Sequence, residues 1–374
     1  ALHCRFYMRL TNVRPPRKLY SEYKLELEVV HVEFRIYLLR RLILLFFVMI
    51  GVTFVVFVIA VMVPKDPAIL WAGGTNIVTE EQLAATRAAY HLNEPWYMQY
   101  WWYLTRILQG DLGVSPIRHV PIAIELAAYL PNSLELGVFA LILAIIVGVS
   151  TGTISATRKD TVVDHVSRLS SLSMVSLPDF WIGLVMQWIF YYYLRWLPDP
   201  GGNVNQILLF QYPLHKITGL STLDALLSGN WVIFGSLLQH MIMPGLVMAF
   251  YPTAMIARIT RASMLEVMSQ DYIRTARAYG LQERTVVYKL ALKNAMIPTT
   301  TTIGLAIGWL LTGSVVVETI FYWPGIGRFT VDAIQNFDFP SLIGYVLIAS
   351  LFFAAANLLV DILYGIIDPR IRQG

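Results

Sequence analysis

Long apolar blocks alternate with polar, charged segments along this chain, and the blocks have the length of helices that cross a membrane. A hydrocarbon core of roughly 30 Å needs about 18 to 25 apolar residues wound as a helix. Blocks of that kind fall at Leu42 to Val63, Leu134 to Ile154, Leu172 to Leu194, Leu237 to Ala257, Ile297 to Val317 and Leu342 to Ile367. The fourth is the weakest, because Gln239, His240 and Pro244 interrupt it, and it crosses with help from the interface. The expected fold class is an all-α integral membrane protein of about six transmembrane helices. The first block is too long for the core of a signal peptide and lacks a small-residue cleavage site after it, so it reads as a retained helix.

The segments between the blocks differ in kind. Residues 1–33 form a polar, basic extension that opens on Ala1, the expectation for a processed or trimmed chain. Lys24 to Glu28 and Val30 to Ile36 alternate with period two, which suits extended structure, and a loosely packed extension fits as well. Residues 64–131 make a large loop with a helical stretch, Glu80 to Tyr90, and a cluster of Trp96, Tyr97, Tyr100, Trp101, Trp102 and Tyr103. Such rings concentrate where membrane meets water. Residues 258–296 are a second long polar segment, charged and helix-prone.

Composition agrees with the pattern: of 374 residues 56% are hydrophobic and 14% charged, with a mean hydropathy of +0.58. Basic residues near spans resist translocation. With the N-terminus inside, 21 of the 28 Lys and Arg residues lie on the inner side, which makes both termini and residues 258–296 cytosolic in a multi-pass protein of the cell membrane. The net charge of +4 follows from this asymmetry. No basic patch with interleaved aromatics points to nucleic acid. The single cysteine, Cys4, excludes an internal disulfide and a multi-cysteine metal site.

Candidate chemistry inside the membrane is sparse. Gly148 and Gly152, and likewise Gly304 and Gly308, are four apart and share a helix face, a spacing that lets helix backbones approach closely in lipid. The segment GVSTG formally matches a serine-nucleophile pattern at Ser150, but it sits in a continuous apolar helix with no histidine at hand. Acids near spans deserve a functional reading because burying a carboxylate in lipid is costly. Asp179, after the helix-bending Pro178, and Glu318, at the end of the fifth block, are candidates for lining a solute path. Glu135 is expected to sit near a helix start capped by Asn132. No phosphate loop, HExxH or CxxC pair is present, so the chain shows no residues for hydrolysing ATP or binding a metal.

In the second polar segment Ser269 to Asp271 supplies capping chemistry, Tyr272 to Tyr279 reads as a helix, and Gly280 stands where a helix ends in a left-handed residue. A second helix is expected from about Glu283 to Ala295, with Pro298 marking entry to the fifth span. Arg274, Arg277 and Arg284 against the small Thr275, Ala276 and Ala278 give a low, polar-rimmed face fit for a groove in a soluble partner. An amphipathic loop lying on the membrane surface accounts for the same pattern.

At this point the residues resemble the membrane subunits of binding-protein-dependent ABC importers, in particular the B-type permease of the dipeptide, oligopeptide and nickel group. The carriers are YLLRRLILL from Tyr37, PKDPA from Pro64, QGDLGVS from Gln109, LPNSLELG from Leu130, VSLPDFWIG from Val175, LDALLSGNW from Leu223, VETIFYWPGIGR from Val317 and DPRIR from Asp368, spanning about Phe34 to Arg372. The E-A-A-x-x-x-G signature of such loops falls on Arg274, Thr275, Ala276 and Gly280, with a departure at the acidic position, and Pro298 is displaced from the general pattern. The resemblance implies a type I importer permease with no catalytic residue and no bound cofactor. A homologous C-type permease completes the path, two ATPase subunits holding ATP and Mg grip the loop through Asp271 to Ala278, and an extracytoplasmic binding protein delivers the solute. Peptides are the expected cargo, ahead of oligosaccharides or nickel chelates. A stand-alone secondary transporter using Asp179 and Glu318 is the rival.

Overall fold

The computed structural model describes residues 39–62, 66–72, 79–311 and 314–367, so the extension 1–33 and the DPRIR segment lie outside the described residues. Residues 52–357 form one compact unit, and a second unit comprises 1–51 with 358–374.

Helices dominate. The first, α1 (Leu39–Phe57), widens into a π turn at Val58–Met62. A loop with α2 (Pro67–Trp71), α3 (Glu80–Ala89) and α4 (Trp96–Leu108) follows, then the long α5 (Ile122–Thr157). Next come α6 (Val162–Ser176), α7 (Asp179–Met186), the short α8 (Gln206–Gln211) and α9 (Ser221–Leu227), and the long α10 (Trp231–Met268). The chain finishes with α11 (Asp271–Ala278), α12 (Leu292–Leu311), α13 (Val315–Ile320), α14 (Ile326–Gln335) and α15 (Phe339–Ile367).

Among the described residues, four helices are long and apolar enough to cross a membrane: α1, α5, α10 and α15 up to Leu358. A bent pair of helices has the composition of a fifth, broken span or of a re-entrant loop. Residues of α6 and those of Asp179–Tyr193 pass together but meet at a bend of 106°, where Leu177 takes an extended conformation before Pro178, as a residue preceding proline does. The expected span Ile297 to Val317 is modified most. Lys293, Asn294 and Thr299–Thr302 make the first half of α12 too polar for it to rank with the others, and after the undescribed residues 312–313 the chain enters α13. Nor does Pro298 mark a helix entry: helix runs unbroken from Glu283 through a π turn at Thr285–Ala291 into α12, with Pro298 in its interior. Transmembrane helices tolerate such prolines where neighbours satisfy the freed backbone groups.

The span that looked weakest is the centre of the bundle. Of the apolar window of α10, 61% of residues are buried in protein, against 11% for α1. Ser236, His240, Thr253, Thr260 and Ser263 are accordingly buried against neighbouring helices, while Gln239 is exposed. His240 is buried, with Nδ1 2.7 Å from the Ser236 carbonyl oxygen. Leu136, Ala140 and Ala144 of α5 and Ile182 and Met186 of α7 pack around Met241, Met248 and Ile256 of α10.

Hydrophobic burial does not drive helices together in lipid, so close backbone approach and hydrogen bonds must. Gly148 and Gly152 of α5 supply it. A Cβ at Gly148 would stand 2.8 Å from Ile256 Cγ2 and 3.0 Å from the Thr253 carbonyl oxygen, and one at Gly152 would stand 2.6 Å from the Ala257 carbonyl oxygen. Gly304 is buried, and a Cβ at Gly308 would approach Asn357 Oδ1 of α15 at 3.1 Å.

Backbone cannot yield as a side-chain tip can, so Gly152→Ala should lower the thermal midpoint of the detergent-solubilised protein by the equivalent of about 1–3 kcal/mol. Gly235→Ala, on α10 with nothing within 4 Å of its Cβ position, should leave the midpoint unchanged or raised. Equal midpoints for the two variants would rule out close approach as the basis of the α5–α10 contact.

Candidate functional site

The polar segment 258–296 folds into a small braced unit. After α10 the chain makes a short turn through Ser269 and Gln270 and enters α11. Gly280 takes φ +75°, and the Leu281 N–H donates to the Ala276 carbonyl at 3.2 Å, the left-handed stop that glycine allows at a helix end. Arg277 then donates to Glu283 through Nη2 at 2.7 Å and Nε at 3.2 Å, tying α11 to the start of the next helix. Asn294 Nδ2 donates to the Tyr272 hydroxyl at 2.7 Å.

Two faces of α11 have different jobs. Ile273 and Ala276 turn inward and join a cluster with Met264 of α10, Val286, Val287 and Ala291 of the π turn, Ala295 of α12 and Ala156 of α5. Asp271, Arg274, Thr275, Ala278 and Tyr279 are exposed, with the Arg274 side chain at 73% of full exposure. Ala276 therefore does not belong to the low outer face that the sequence suggested. At 7% exposure it is small because the cluster beneath it leaves no room.

The acids separate into different roles. Glu318 is fully buried. Its Oε1 accepts from Ser133 Oγ of α5 at 2.7 Å and its Oε2 from the Gly327 N–H at 2.7 Å and the Arg328 N–H at 3.4 Å. The segment Trp323–Arg328 thus folds over α5, where Trp323 Nε1 donates to the Asn132 carbonyl at 2.9 Å. Gly327 must be glycine there, because a Cβ would stand 2.7 Å from Val315 Cα. Asp179 opens α7, partly exposed, with no hydrogen bond or ion pair among the described residues. Its carboxylate lies at the positive end of the helix.

Glu135 corrects the capping expectation. The helix begins at Ile122, with Pro131 in its interior. Asn132 caps nothing, and its Nδ2 donates instead to the Pro324 carbonyl at 2.9 Å. Glu135 is buried mid-helix and accepts from Thr222 N at 2.7 Å and Thr222 Oγ1 at 2.6 Å. Ser150 is exposed on continuous α5, with no histidine partner among its described contacts.

One cluster escaped the sequence reading. Asp164 in the first turn of α6 is fully buried and receives both Arg261 Nε and Nη2 at 2.7 Å. Arg261 was legible only as one more basic residue flanking a span, and nothing in the spacing paired it with an acid 97 positions away.

Comparison with known proteins bears directly on this arrangement. The family described as "Binding-protein-dependent transport system inner membrane component" matches residues 140–373, and its N-terminal companion matches residues 34–120. The dipeptide transport system permease protein of Alkalihalophilus pseudofirmus is 42% identical over 336 residues, covering 90% of this chain and 99% of that relative. The probable D,D-dipeptide transport system permease protein of Escherichia coli K12 is 41% identical, over 87% of this chain and 94% of the relative. The glutathione transport system permease protein of Escherichia coli O6:H1 is 36% identical, over 90% and 98%. With a family match over more than half its length and relatives aligned nearly end to end, the chain belongs to the inner-membrane permeases of binding-protein-dependent ABC transport systems.

Proposed function

We propose that this permease imports short peptides by moving with two ATPase subunits that grip the exposed face of α11, beside a homologous sister permease that supplies the other wall of the path. An extracytoplasmic binding protein delivers the solute, and both termini lie in the cytosol. The observation that carries the coupling reading is the two-faced α11. Its outer surface of Asp271, Arg274, Thr275, Arg277 and Ala278 is free to enter a cleft, while Ile273 and Ala276 root it in the bundle. A short helix rooted in this way moves with the ends of α10 and α12 as one body, so closure of an ATP-bound dimer around it becomes displacement of spans. The lone carboxylate of Asp179, at the bend of the broken span, is the best candidate on this chain for facing the solute. Glu318 serves to hold the segment Trp323–Arg328 in place.

Peptide cargo rests on the relatives, whose names specify dipeptides, di- and tripeptides and glutathione, all short chains with free ends. Proteoliposomes containing this chain, its sister permease, the ATPases and the binding protein should accumulate a labelled dipeptide only when ATP is supplied. Accumulation by this chain without ATPases would overturn the coupling mechanism. Uptake of an oligosaccharide or a nickel chelate in place of peptide would overturn the cargo.

Deleting Arg274 to Ala278 should abolish uptake and ATPase copurification while leaving membrane insertion intact. Gly280→Val forces a β-branched side chain into the left-handed region at a cost of about 1 kcal/mol or more, and should weaken ATPase association in the same pull-down; association equal to the parent would show the turn to be dispensable.

The Glu283 carboxylate is held below its ordinary range by the hydrogen bond from Arg277, with burial opposing weakly and the Arg277 charge reinforcing. A depressed folded-state value means that the pair's contribution is complete above the unfolded carboxylate range and is lost as pH falls through the lower folded value. Because the pair is exposed, that contribution is at most about 1 kcal/mol. Protection against hydrogen exchange in residues 277–284 should fall only as pH drops below the ordinary carboxylate range, and Glu283→Gln should remove the acid-dependent step.

A further inference from the structure

Three helices meet at one buried carboxylate near the loop. Asp164 Oδ1 accepts from Ser155 Oγ of α5 at 2.5 Å and from Arg261 Nε of α10 at 2.7 Å. Its Oδ2 accepts from Arg261 Nη2 at 2.7 Å and from the Asp160 N–H at 3.1 Å. Every position on the carboxylate is used. A buried ion pair contributes little net stability compared with apolar packing of the same volume, and its best-attested use is to fix how elements sit together. This one is bidentate, which constrains rotation as well as distance.

The surroundings say what it fixes. Beyond the ion pair α6 and α10 part around a groove of about 590 Å³ lined by His165, Arg168, Ser171, Leu172 and Arg258. Although α6 lies against α10, Asp164 is its one buried residue, and none of its apolar side chains joins the clusters around α10. At its far end α6 stops at Leu177, and the chain turns through 106° into α7. At the near end Arg261 rides on the part of α10 that runs on through Ser269 and Gln270 into α11. So α6 is a strut, pinned to α5 and α10 through Asp164 at one end and bent at Pro178 at the other.

We infer that Asp164, with Ser155 and Arg261, is the joint that passes displacement of α11 and α10 to α6 and, through the bend at Pro178, to α7 and Asp179. The inference rests on the coupling reading of α11 given above. These are positioning residues: none touches solute or nucleotide.

The test is solute accumulated per ATP hydrolysed, measured with the whole complex in proteoliposomes. Asp164→Asn and Arg261→Gln should lower that ratio about fivefold or more, the lower end of typical coupling between sites, with ATPase subunits still copurifying as in the parent. Ser155→Ala, which keeps the ion pair, should lower it less. A parental ratio in Asp164→Asn would overturn the inference, and so would loss of ATPase association in that variant, since the ion pair would then be supporting the loop itself. Intact ATPase association after deletion of Arg274 to Ala278 sinks the coupling reading instead. Should the Asp164 variants fail to fold and insert, spin labels on otherwise unaltered helices decide. In a Cys4→Ser background, the separation between Leu169→Cys on α6 and Glu266→Cys on α10 should stay fixed between nucleotide-free and ATP-bound complexes, while Leu169→Cys to Trp188→Cys beyond α7 changes. A changing α6–α10 separation would refute the joint.

Discussion

A carboxylate removed from water must find hydrogen-bond donors within the protein, and in lipid nothing else can supply them. That requirement organises this fold. Glu318 takes donors from α5 and from the first turn of α14, Asp164 from α5 and α10, and Asp338 from Ser115 and Ser341. Each satisfied acid joins segments far apart in sequence, so the acids sit at the junctions of the bundle. Leaving one such group unpaired costs about 1–3 kcal/mol or more, which makes each junction specific for its partners in a way that apolar contact with lipid-like side chains is not.

Between the junctions, the bundle relies on shape. The α5–α10 pair is the principal helix contact, and Gly148 and Gly152 bring the two backbones together at its centre. The same pair reaches the end bearing the loop, where Ala156 of α5 lies in the cluster under α11 and Ser155 donates to Asp164. On the coupling proposed above, this pair would receive force from the loop, and the 106° bend between α6 and α7 would be the part that yields.

Much of this was legible in the sequence, and the exceptions share a cause. The apolar blocks marked the four long spans because lipid contact demands continuous hydrophobicity, and Pro178 marked the break because proline restricts its predecessor. The central helix α10 looked weak for the same reason that it is central: His240 and Pro244 are buried among neighbouring helices, so hydropathy misjudges the best-buried span, although Gln239 itself faces outward. Glu135 was misread because Pro131 resembles a helix boundary, and the identity of its partner Thr222 is not encoded in any local spacing. The Asp164–Arg261 pair failed for the same reason. Periodicity reports which face of a helix is apolar; it carries nothing about which charges meet across helices.

The loop signature illustrates how one residue type answers two demands. A small residue at 276 and a small residue at 278 look equivalent in a sequence, and both suit a helix that must lie deep in a groove. In the fold Ala276 points into the cluster of Ile273, Met264 and Val286, whereas Ala278 points outward. Smallness at 276 is thus a condition for α11 to stay attached to its own bundle, and smallness at 278 a condition for fitting something else. Arg274 lies on the outer face and nearly free of contact, paired only at 3.5 Å with Asp271. An exposed pair of that kind adds almost nothing to the helix. Its departure from the acidic residue common in such loops therefore leaves the loop's own fold untouched and changes only the exposed face, the one proposed above to meet an ATPase subunit.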